Sequence, residues 1–158
     1  MRVTLIRHAE AGDDAPRDEA RALTERGRAD TRRVGRALAR RKVRFSLIVS
    51  SPLVRAVQTA EIVAAEVGYR GRILASDLIV PEAPVEPVVA CLRANAHEKS
   101  VALVAHEPIL STLAAALTRR ARHAPLRKAE ALRIRLADNG RGETRWRIDP
   151  GTGRRERL

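Results

Sequence analysis

The sequence predicts an α/β fold, a three-layer α/β/α sandwich with a mostly parallel central sheet. Short apolar runs, each suited to one buried strand, alternate along the chain with amphipathic segments of helical period. Gly, Pro and Asn-Gly turns separate these segments, and 158 residues suit one domain. No repeat or linker divides the chain. We therefore expect a single domain over residues 1–150 and a frayed basic tail over residues 151–158.

The first half of the chain predicts two strands that alternate with two helices. The segments are, in order, a buried strand at Val3–Ile6, a polar loop over 9–22, a helix from the N-cap Thr24 to about Arg41, a buried strand at 45–49, and a helix that ends at Gly68. Ser51 is expected to cap this second helix, with Pro52 at its first position.

The second half predicts the rest of the sheet. The segments are, in order, a short strand at 72–75, a proline-punctuated loop, a helix near 86–94, a buried strand at 101–105, a helix from Pro108 through Leu117, a basic connector and a C-terminal β-hairpin. Asn139-Gly140 lies in the predicted hairpin turn. The single cysteine, Cys91, cannot form an internal disulfide, and its apolar helix predicts a core position.

The charge of the chain restricts its partners. Lys and Arg number 31 against 19 Asp and Glu, a net charge of +12, which favours an acidic or phosphorylated partner. Aromatic residues are only 2% of the chain, too few to stack bases, so we expect no nucleic-acid partner. No apolar run reaches the roughly 20 residues of a membrane span, and no signal peptide is evident. These features predict a cytoplasmic protein without a membrane partner.

Three predicted strands end in residues that carry chemistry. The first ends in Arg7-His8, the second is followed by Ser50-Ser51-Pro52 and Arg55, and the third ends in His106. Ligands of open α/β sheets bind beyond the carboxyl ends of the strands. A lone histidine after a strand is usually a packed residue, and a lone arginine is usually a solvated charge. Their joint placement predicts a site instead.

The types of group at these strand ends favour phosphoryl transfer. Arginine forks match phosphate oxygens and stay charged, and a helix N-terminus adds free amides. A histidine among arginines has a lowered pKa, so it stays neutral and nucleophilic. One histidine can attack phosphorus while the other donates to a non-bridging oxygen.

Four motifs in order then resemble those of the histidine phosphatase superfamily, which includes the phosphoglycerate mutases. They are Leu5-Ile6-Arg7-His8-Ala9-Glu10-Ala11, Leu23-Thr24-Glu25-Arg26-Gly27, the segment from Ser50 to Ala60, and Leu103-Val104-Ala105-His106-Glu107-Pro108. Only 50 residues separate Arg55 from His106, too few for the inserted cap of the larger relatives. The compact chain, the loop with Pro81-Glu82 and the hairpin with Trp146 resemble the SixA-type phosphohistidine phosphatases.

The resemblance implies a role for each matching residue. His8 is the expected nucleophile, which becomes transiently phosphorylated. Arg7, Arg55 and His106 are expected to form the phosphate pocket, and Arg21 is a further candidate for binding phosphate.

The resemblance leaves three candidates for the general acid, and the residue after the nucleophile departs from the family pattern. The family uses a Glu or Asp to protonate the leaving group; Glu82, Asp18 and Glu107 are the candidates, and the resembling loop favours Glu82. Ala9 stands where the family commonly has glycine, so its methyl group could crowd the phosphate. No histidine has a metal-ligand spacing, so we expect neither metal nor cofactor.

The leading hypothesis is thus a phosphatase that acts on a histidine-phosphorylated signalling protein. Two alternatives stay open at this point. The same residues could serve a small phosphorylated molecule, such as a nucleotide, a sugar phosphate or polyphosphate. A non-catalytic module that binds phosphoproteins is the third reading, although such relatives tend to lose the nucleophile or an arginine, and both are present here.

Overall fold

The computed structural model describes all residues from 1 to 158 and confirms the α/β/α sandwich. Seven strands form one sheet: β1 (Arg2–Arg7), β2 (Leu47–Ser50), β3 (Ile73–Ala75), β4 (Ser100–Ala105), β5 (Ala131–Leu136), β6 (Gly142–Ile148) and β7 (Arg155–Arg157). Four helices cover it: α1 (Glu25–Arg40), α2 (Val54–Val67), α3 (Val85–Ala94) and α4 (Ile109–Thr118). None of the four has the length and apolar character needed to cross a bilayer.

The order of the strands explains where a site can form. The order is β3-β2-β4-β1-β5-β6-β7; the first four strands are parallel, and β5, β6 and β7 extend the sheet in antiparallel fashion. Strand β4 lies between β1 and β2, so the carboxyl ends of these three strands are neighbours. This is the topological switch point at which α/β sheets bind ligands.

The central strands are apolar on both faces because helices cover both faces. Leu5 on β1 packs into the core beneath α3 and α4, whereas the next residue, Ile6, packs beneath α1 and α2. Both side chains are fully buried. Every residue of β4 is buried as well. This double cover holds the ends of β1 and β4 in place.

The helix ends agree with the predicted signals in all but one case. The Thr24 hydroxyl accepts the Gly27 N–H at 3.0 Å and caps α1, and Gly68 ends α2 with a left-handed φ of 67°. Helix α2, however, begins at Val54 with Leu53 at the N-cap position. The predicted cap, Ser51, instead has its hydroxyl on His106. Ser50-Ser51-Pro52 is therefore a turn that serves the strand ends.

Two other expectations were wrong. Residues 155–157 of the expected frayed tail form β7, which pairs with β6 after a turn in which the Gly153 N–H donates to the Asp149 carbonyl at 2.8 Å. The open edge of β6 supplies the hydrogen bonds that order this segment. Cys91 is exposed, because α3 buries the face that carries Val88 and Leu92 instead.

Candidate active site

Strand β4 aligns the segments that carry the predicted site residues. The His8 N–H donates to the Ala105 carbonyl at 2.8 Å, and the Ser51 N–H donates to the Val104 carbonyl at 2.9 Å. His106 follows β4 directly, so the three chain segments meet at one edge of the sheet. The rings of His8 and His106 have centroids 4.9 Å apart at an angle of 52°. The predicted convergence of the two histidines is therefore present.

His8 is held in a form that leaves one ring nitrogen free to react. Its Nδ1 lies 2.7 Å from the Ala9 carbonyl oxygen. A carbonyl oxygen only accepts, so Nδ1 carries the proton and the Nε2 lone pair is available. Burial and, to a smaller extent, the positive charges of Arg55, Arg7 and Lys128 together lower the pKa of His8 to about 4. The imidazole is thus neutral at physiological pH.

His106 is oriented the opposite way. Its Nε2 lies 2.8 Å from the Ser51 hydroxyl, which also accepts the Leu53 N–H at 3.4 Å. The Ser51 hydroxyl is buried and has no other acceptor in reach, so its proton is donated to Nε2, and the proton of the neutral His106 ring lies on Nδ1. Burial lowers the pKa of His106 to about 3, with contributions from His8 and Arg55. Nδ1 is buried and has no hydrogen-bond partner, so it can donate to a ligand oxygen.

Arg7 has a second such unpartnered donor. Its Nη1 donates to the Leu126 carbonyl at 2.7 Å, while its buried Nε has no partner. The Leu126 N–H donates to a Glu107 carboxylate oxygen at 2.7 Å, and the other Glu107 oxygen accepts the Ser111 hydroxyl at 2.6 Å. Glu107 therefore positions the loop that holds Arg7. These hydrogen bonds occupy both oxygens of the Glu107 carboxylate.

Arg55 is buried and is held by one residue of the predicted polar loop. Its Nη1 donates to the Asp18 carbonyl oxygen at 2.8 Å and its Nη2 to the Asp18 carboxylate at 2.9 Å. Hydrogen bonds from Arg55 and Arg21 lower the pKa of Asp18. Asp18 is consequently a fixed anion that orients Arg55, and its ionised state does not suit a proton donor.

The two weaker candidates, Arg21 and Glu82, make no hydrogen bond to His8 or His106. The Arg21 guanidinium contacts the Gly12 carbonyl, Asp13 and Asp18, so it joins the site through Asp18. Its direct contact with phosphate stays a prediction. Glu82 is exposed in a cleft with Pro108 and the start of α4, where it makes no hydrogen bond or ion pair. Its role as the general acid also stays a prediction.

The methyl group of Ala9 packs against apolar neighbours, and its effect on a bound phosphate stays a prediction. Ala9 is fully buried in a small apolar cluster with Leu23 and Ala129. Its N–H donates to the Thr59 hydroxyl at 3.1 Å, and that hydroxyl donates to the Arg55 carbonyl at 2.7 Å. Thr59 thus ties the nucleophile loop to α2.

Sequence reasoning missed the supporting residues Thr59 and Lys128, and it gave Ser51 and Asp18 other roles, those of a helix cap and a candidate general acid. Ser51 and Thr59 lie inside the motif from Ser50 to Ala60, and no other feature of the sequence indicates that they support the site. Lys128 approaches His8 because Ala129, in the left-handed region with φ 64°, directs its N–H towards the carbonyls of Arg7 and His8. No pattern in the sequence indicates that approach.

The chemistry of this arrangement follows from its free groups. A neutral imidazole with an open Nε2 lies beside the His106 ring, and the site holds two buried donors without partners, Arg7 Nε and His106 Nδ1, among positive charges. Such a site can hold a tetrahedral oxyanion and attack its central atom. No group of three or more His, Cys, Asp or Glu side chains converges as metal ligands would.

Comparisons with known proteins agree with this description. A family model described as "Histidine phosphatase superfamily (branch 1)" matches residues 3–77. Phosphohistidine phosphatase SixA of Escherichia coli (strain K12) is 30% identical over 156 residues, which cover 95% of this chain and 94% of the relative. A mitochondrial serine/threonine-protein phosphatase Pgam5 of Drosophila pseudoobscura pseudoobscura is 33% identical over 86 residues, or 30% of its length.

A solved structure of the protein histidine phosphatase SixA complexed with tungstate superimposes with a TM-score of 0.91 at 28% identity. The match covers 96% of this chain and 98% of that chain. The two chains therefore share the fold over almost their whole length.

Proposed function

The chain belongs to the histidine phosphatase superfamily, and on this premise we propose that it hydrolyses protein phosphohistidine through a phosphoryl group carried by His8. The observation that carries the proposal is the pair of opposite ring orientations. His8 presents a lone pair at Nε2, whereas His106 presents an N–H at Nδ1. One ring can attack the phosphorus while the other stabilises the oxygen that gains charge.

In the first step the His8 Nε2 lone pair forms a bond to phosphorus as the bond to the substrate imidazole breaks. Arg7, Arg55 and His106 stabilise the negative charge on the equatorial oxygens. The electron pair of the broken bond stays on the leaving nitrogen, which takes up a proton. The product is phosphorylated His8 and a free histidine side chain on the substrate.

In the second step water attacks the phosphorus of phosphorylated His8. The P–N bond breaks, inorganic phosphate leaves, and the electron pair returns to Nε2. The water protons are shared between phosphate and solvent. The Ala9 carbonyl keeps the Nδ1 proton in place through both steps, so the same tautomer is ready for the next cycle.

The leaving group explains why a phosphohistidine substrate suits this site. Protonated imidazole has a pKa of about 6.5, so a neutral imidazole departs with little help from an acid, whereas an alkoxide needs a proton. The Asp18 carboxylate is occupied by Arg55. The Glu107 carboxylate is occupied by the Leu126 N–H and the Ser111 hydroxyl. The exposed Glu82 is then our candidate proton donor, and we expect it to matter more for alkyl phosphates than for phosphohistidine.

The size of the substrate fits the shape of the chain. No inserted domain covers the carboxyl ends of β1, β2 and β4, so a histidine on another protein can reach His8. The similar SixA structure is complexed with tungstate, a tetrahedral oxyanion with the geometry of phosphate. Because Arg7 and Arg55 supply the positive charge, the proposed reaction needs no metal, and activity is expected to persist in a chelator. A cytoplasmic location stays a prediction.

A single-turnover assay tests the proposal. The enzyme, in excess and with EDTA, is mixed with a phosphohistidine-bearing phosphotransfer domain, with p-nitrophenyl phosphate, or with a sugar phosphate. We expect rapid release from phosphohistidine, slow release from the sugar phosphate, and no release by His8→Ala. His97→Ala, at an exposed histidine far along the chain, is the matched control and should keep full activity.

The outcomes separate the alternatives. Comparable efficiency on phosphohistidine and the sugar phosphate would contradict the proposed substrate class and favour small molecules. Binding of the phosphorylated domain without turnover of any substrate would favour the non-catalytic module.

A further inference from the structure

A deep basic groove lies at the end of the sheet opposite the candidate active site. It has a volume of about 660 Å³ and is lined by nine Arg or Lys side chains and no Asp or Glu. Arg2, which lines it, begins β1, whereas His8 follows the end of that strand. At about 3.3 Å per residue, the two ends of β1 are roughly 17 Å apart. The groove is thus separate from the phosphate pocket.

Strand register, rather than the abundance of arginine alone, concentrates the charge. Arg2 on β1 lies opposite Arg135 on β5, and Arg133 on β5 lies opposite Trp146 on β6. Trp146 in turn lies opposite Arg157 on β7. Like charges directly opposite each other on neighbouring strands destabilise a sheet. The sheet therefore carries a repulsion that a bound anion would relieve.

The cations of the groove are almost all without a carboxylate partner. The one ion pair among the nine lining cations joins Arg145 to Glu143 at 2.8 Å. Arg133 is the clearest case, because the residue is buried, with a relative exposure of 6%. Its guanidinium contacts only the neutral hydroxyls of Thr4 and Ser100 and lies 5.9 Å from the centre of the Trp146 ring. A buried charge without a counter-ion is costly, and this one lines the groove.

We propose that this groove binds a polyphosphate anion, a chain of three or more linked phosphoryl groups, either inorganic or attached to a nucleoside. A volume of this size is typical of small-ligand sites. Eight unpaired cations in one concave space match a ligand with several negative charges in a short length. Arginine forks bind phosphate oxygens in pairs. A single aromatic side chain offers no series of stacking positions for a nucleic-acid strand.

Calorimetric titration with inorganic tripolyphosphate tests the proposal. The buffer contains orthophosphate in excess, which occupies the phosphate pocket and leaves the groove as the site measured. The test variant is Arg155→Gln with Arg157→Gln, on the exposed edge strand β7. The matched control is Arg32→Gln with Arg122→Gln, which removes the same charge from two exposed arginines outside the groove and without ion pairs.

We expect the groove variant to weaken binding at least roughly tenfold, because each lost arginine contact is a charge-assisted hydrogen bond. The control pair should change it less than about threefold, since it removes only distant charge. Arg135→Gln on β5 should reproduce the loss without touching β7. Hydrolysis of p-nitrophenyl phosphate should stay at the wild-type rate in all three variants, so this result is independent of the proposed function.

The remaining outcomes distinguish inorganic polyphosphate from a nucleoside polyphosphate and show what would overturn the proposal. ATP that binds as tightly as tripolyphosphate supports recognition of the phosphate chain alone, and tighter binding supports an added nucleoside contact at Trp146. No binding by the wild-type protein would overturn the proposal. Equal losses in the two variant pairs would overturn it too, because they would indicate a diffuse field. A single-stranded oligonucleotide that displaces tripolyphosphate at matched charge would assign the groove to nucleic acid.

Discussion

Lowering the pH tests the electrostatic design of the histidine pair. The pKa of His8 falls from 6.5 to about 4, chiefly through burial, which corresponds to about 3 kcal/mol in favour of neutral imidazole. At pH 5.5 an ordinary histidine is roughly nine-tenths protonated, whereas His8 should be roughly one-thirtieth protonated. His106, with a pKa of about 3, should stay neutral as well. The nucleophile is therefore expected to remain active well into the acid range.

Nuclear magnetic resonance titration measures this directly. The chain has four histidines, and substituting each in turn assigns its imidazole signals. Between pH 7.5 and 5.5 the signals of His8 and His106 should keep the shifts of the neutral ring. Midpoints near 6.5 for either ring would refute the reasoning, because burial and the neighbouring arginines would then have no effect on its pKa.

The same pKa values determine how stability depends on pH. The unfolded chain takes up protons at its histidines near pH 6.5, whereas the folded chain resists until about pH 4 or lower. The stabilising contribution is therefore complete above pH 6.5 and is lost as pH falls below it. Denaturant unfolding of the wild type should show this decline, and His106→Gln should reduce its slope.

Three substitutions probe the supporting contacts. Asp18→Ala removes the negative charge paired with Arg55, so inorganic phosphate should inhibit roughly two- to fivefold more strongly; weaker inhibition would mean that the lost orientation of Arg55 outweighs the change in charge. Ser51→Ala removes the hydrogen bond that orients His106, so kcat/KM should fall roughly three- to tenfold with KM less affected, and an unchanged kcat/KM would exclude that role. Glu130→Gln weakens a buried carboxylate shared by Arg127 and Arg147; thermal unfolding should show a loss of about 1–3 kcal/mol, and an unchanged Tm would contradict it.

Local signals in the sequence predicted most of the fold because the local and global preferences agree. The apolar runs of β1 and β4 are buried on both faces, as their lack of alternation indicates. Thr24 begins α1 as predicted, because its hydroxyl accepts a free N–H of the first turn. Gly68 ends α2 as predicted, because it adopts the left-handed conformation that the position requires. Strand β7 was missed because its order comes from pairing with β6, a contact with no local signature.

The strand ends predicted the two histidines at the centre of the site, but they did not predict the residues that orient the site. The placement of His8 and His106 follows from the topology of parallel strands. The hydroxyl of Ser51 was assigned to a helix cap because a serine before a proline is typical of one, whereas a tertiary contact with His106 takes that hydroxyl instead. Asp18 reaches Arg55 across 37 positions of sequence, and a loop carboxylate gives no sign of its distant partner.

Mass spectrometry of the rapidly quenched enzyme tests the central claim most directly. The wild type and His8→Ala are each mixed with the phosphohistidine-bearing domain, quenched in base to preserve phosphohistidine, and digested. We expect one added phosphoryl group, labile in acid, on the peptide that contains His8, and none in the variant. Phosphate release by His8→Ala at the wild-type rate, or a phosphoryl group on another residue, would contradict it.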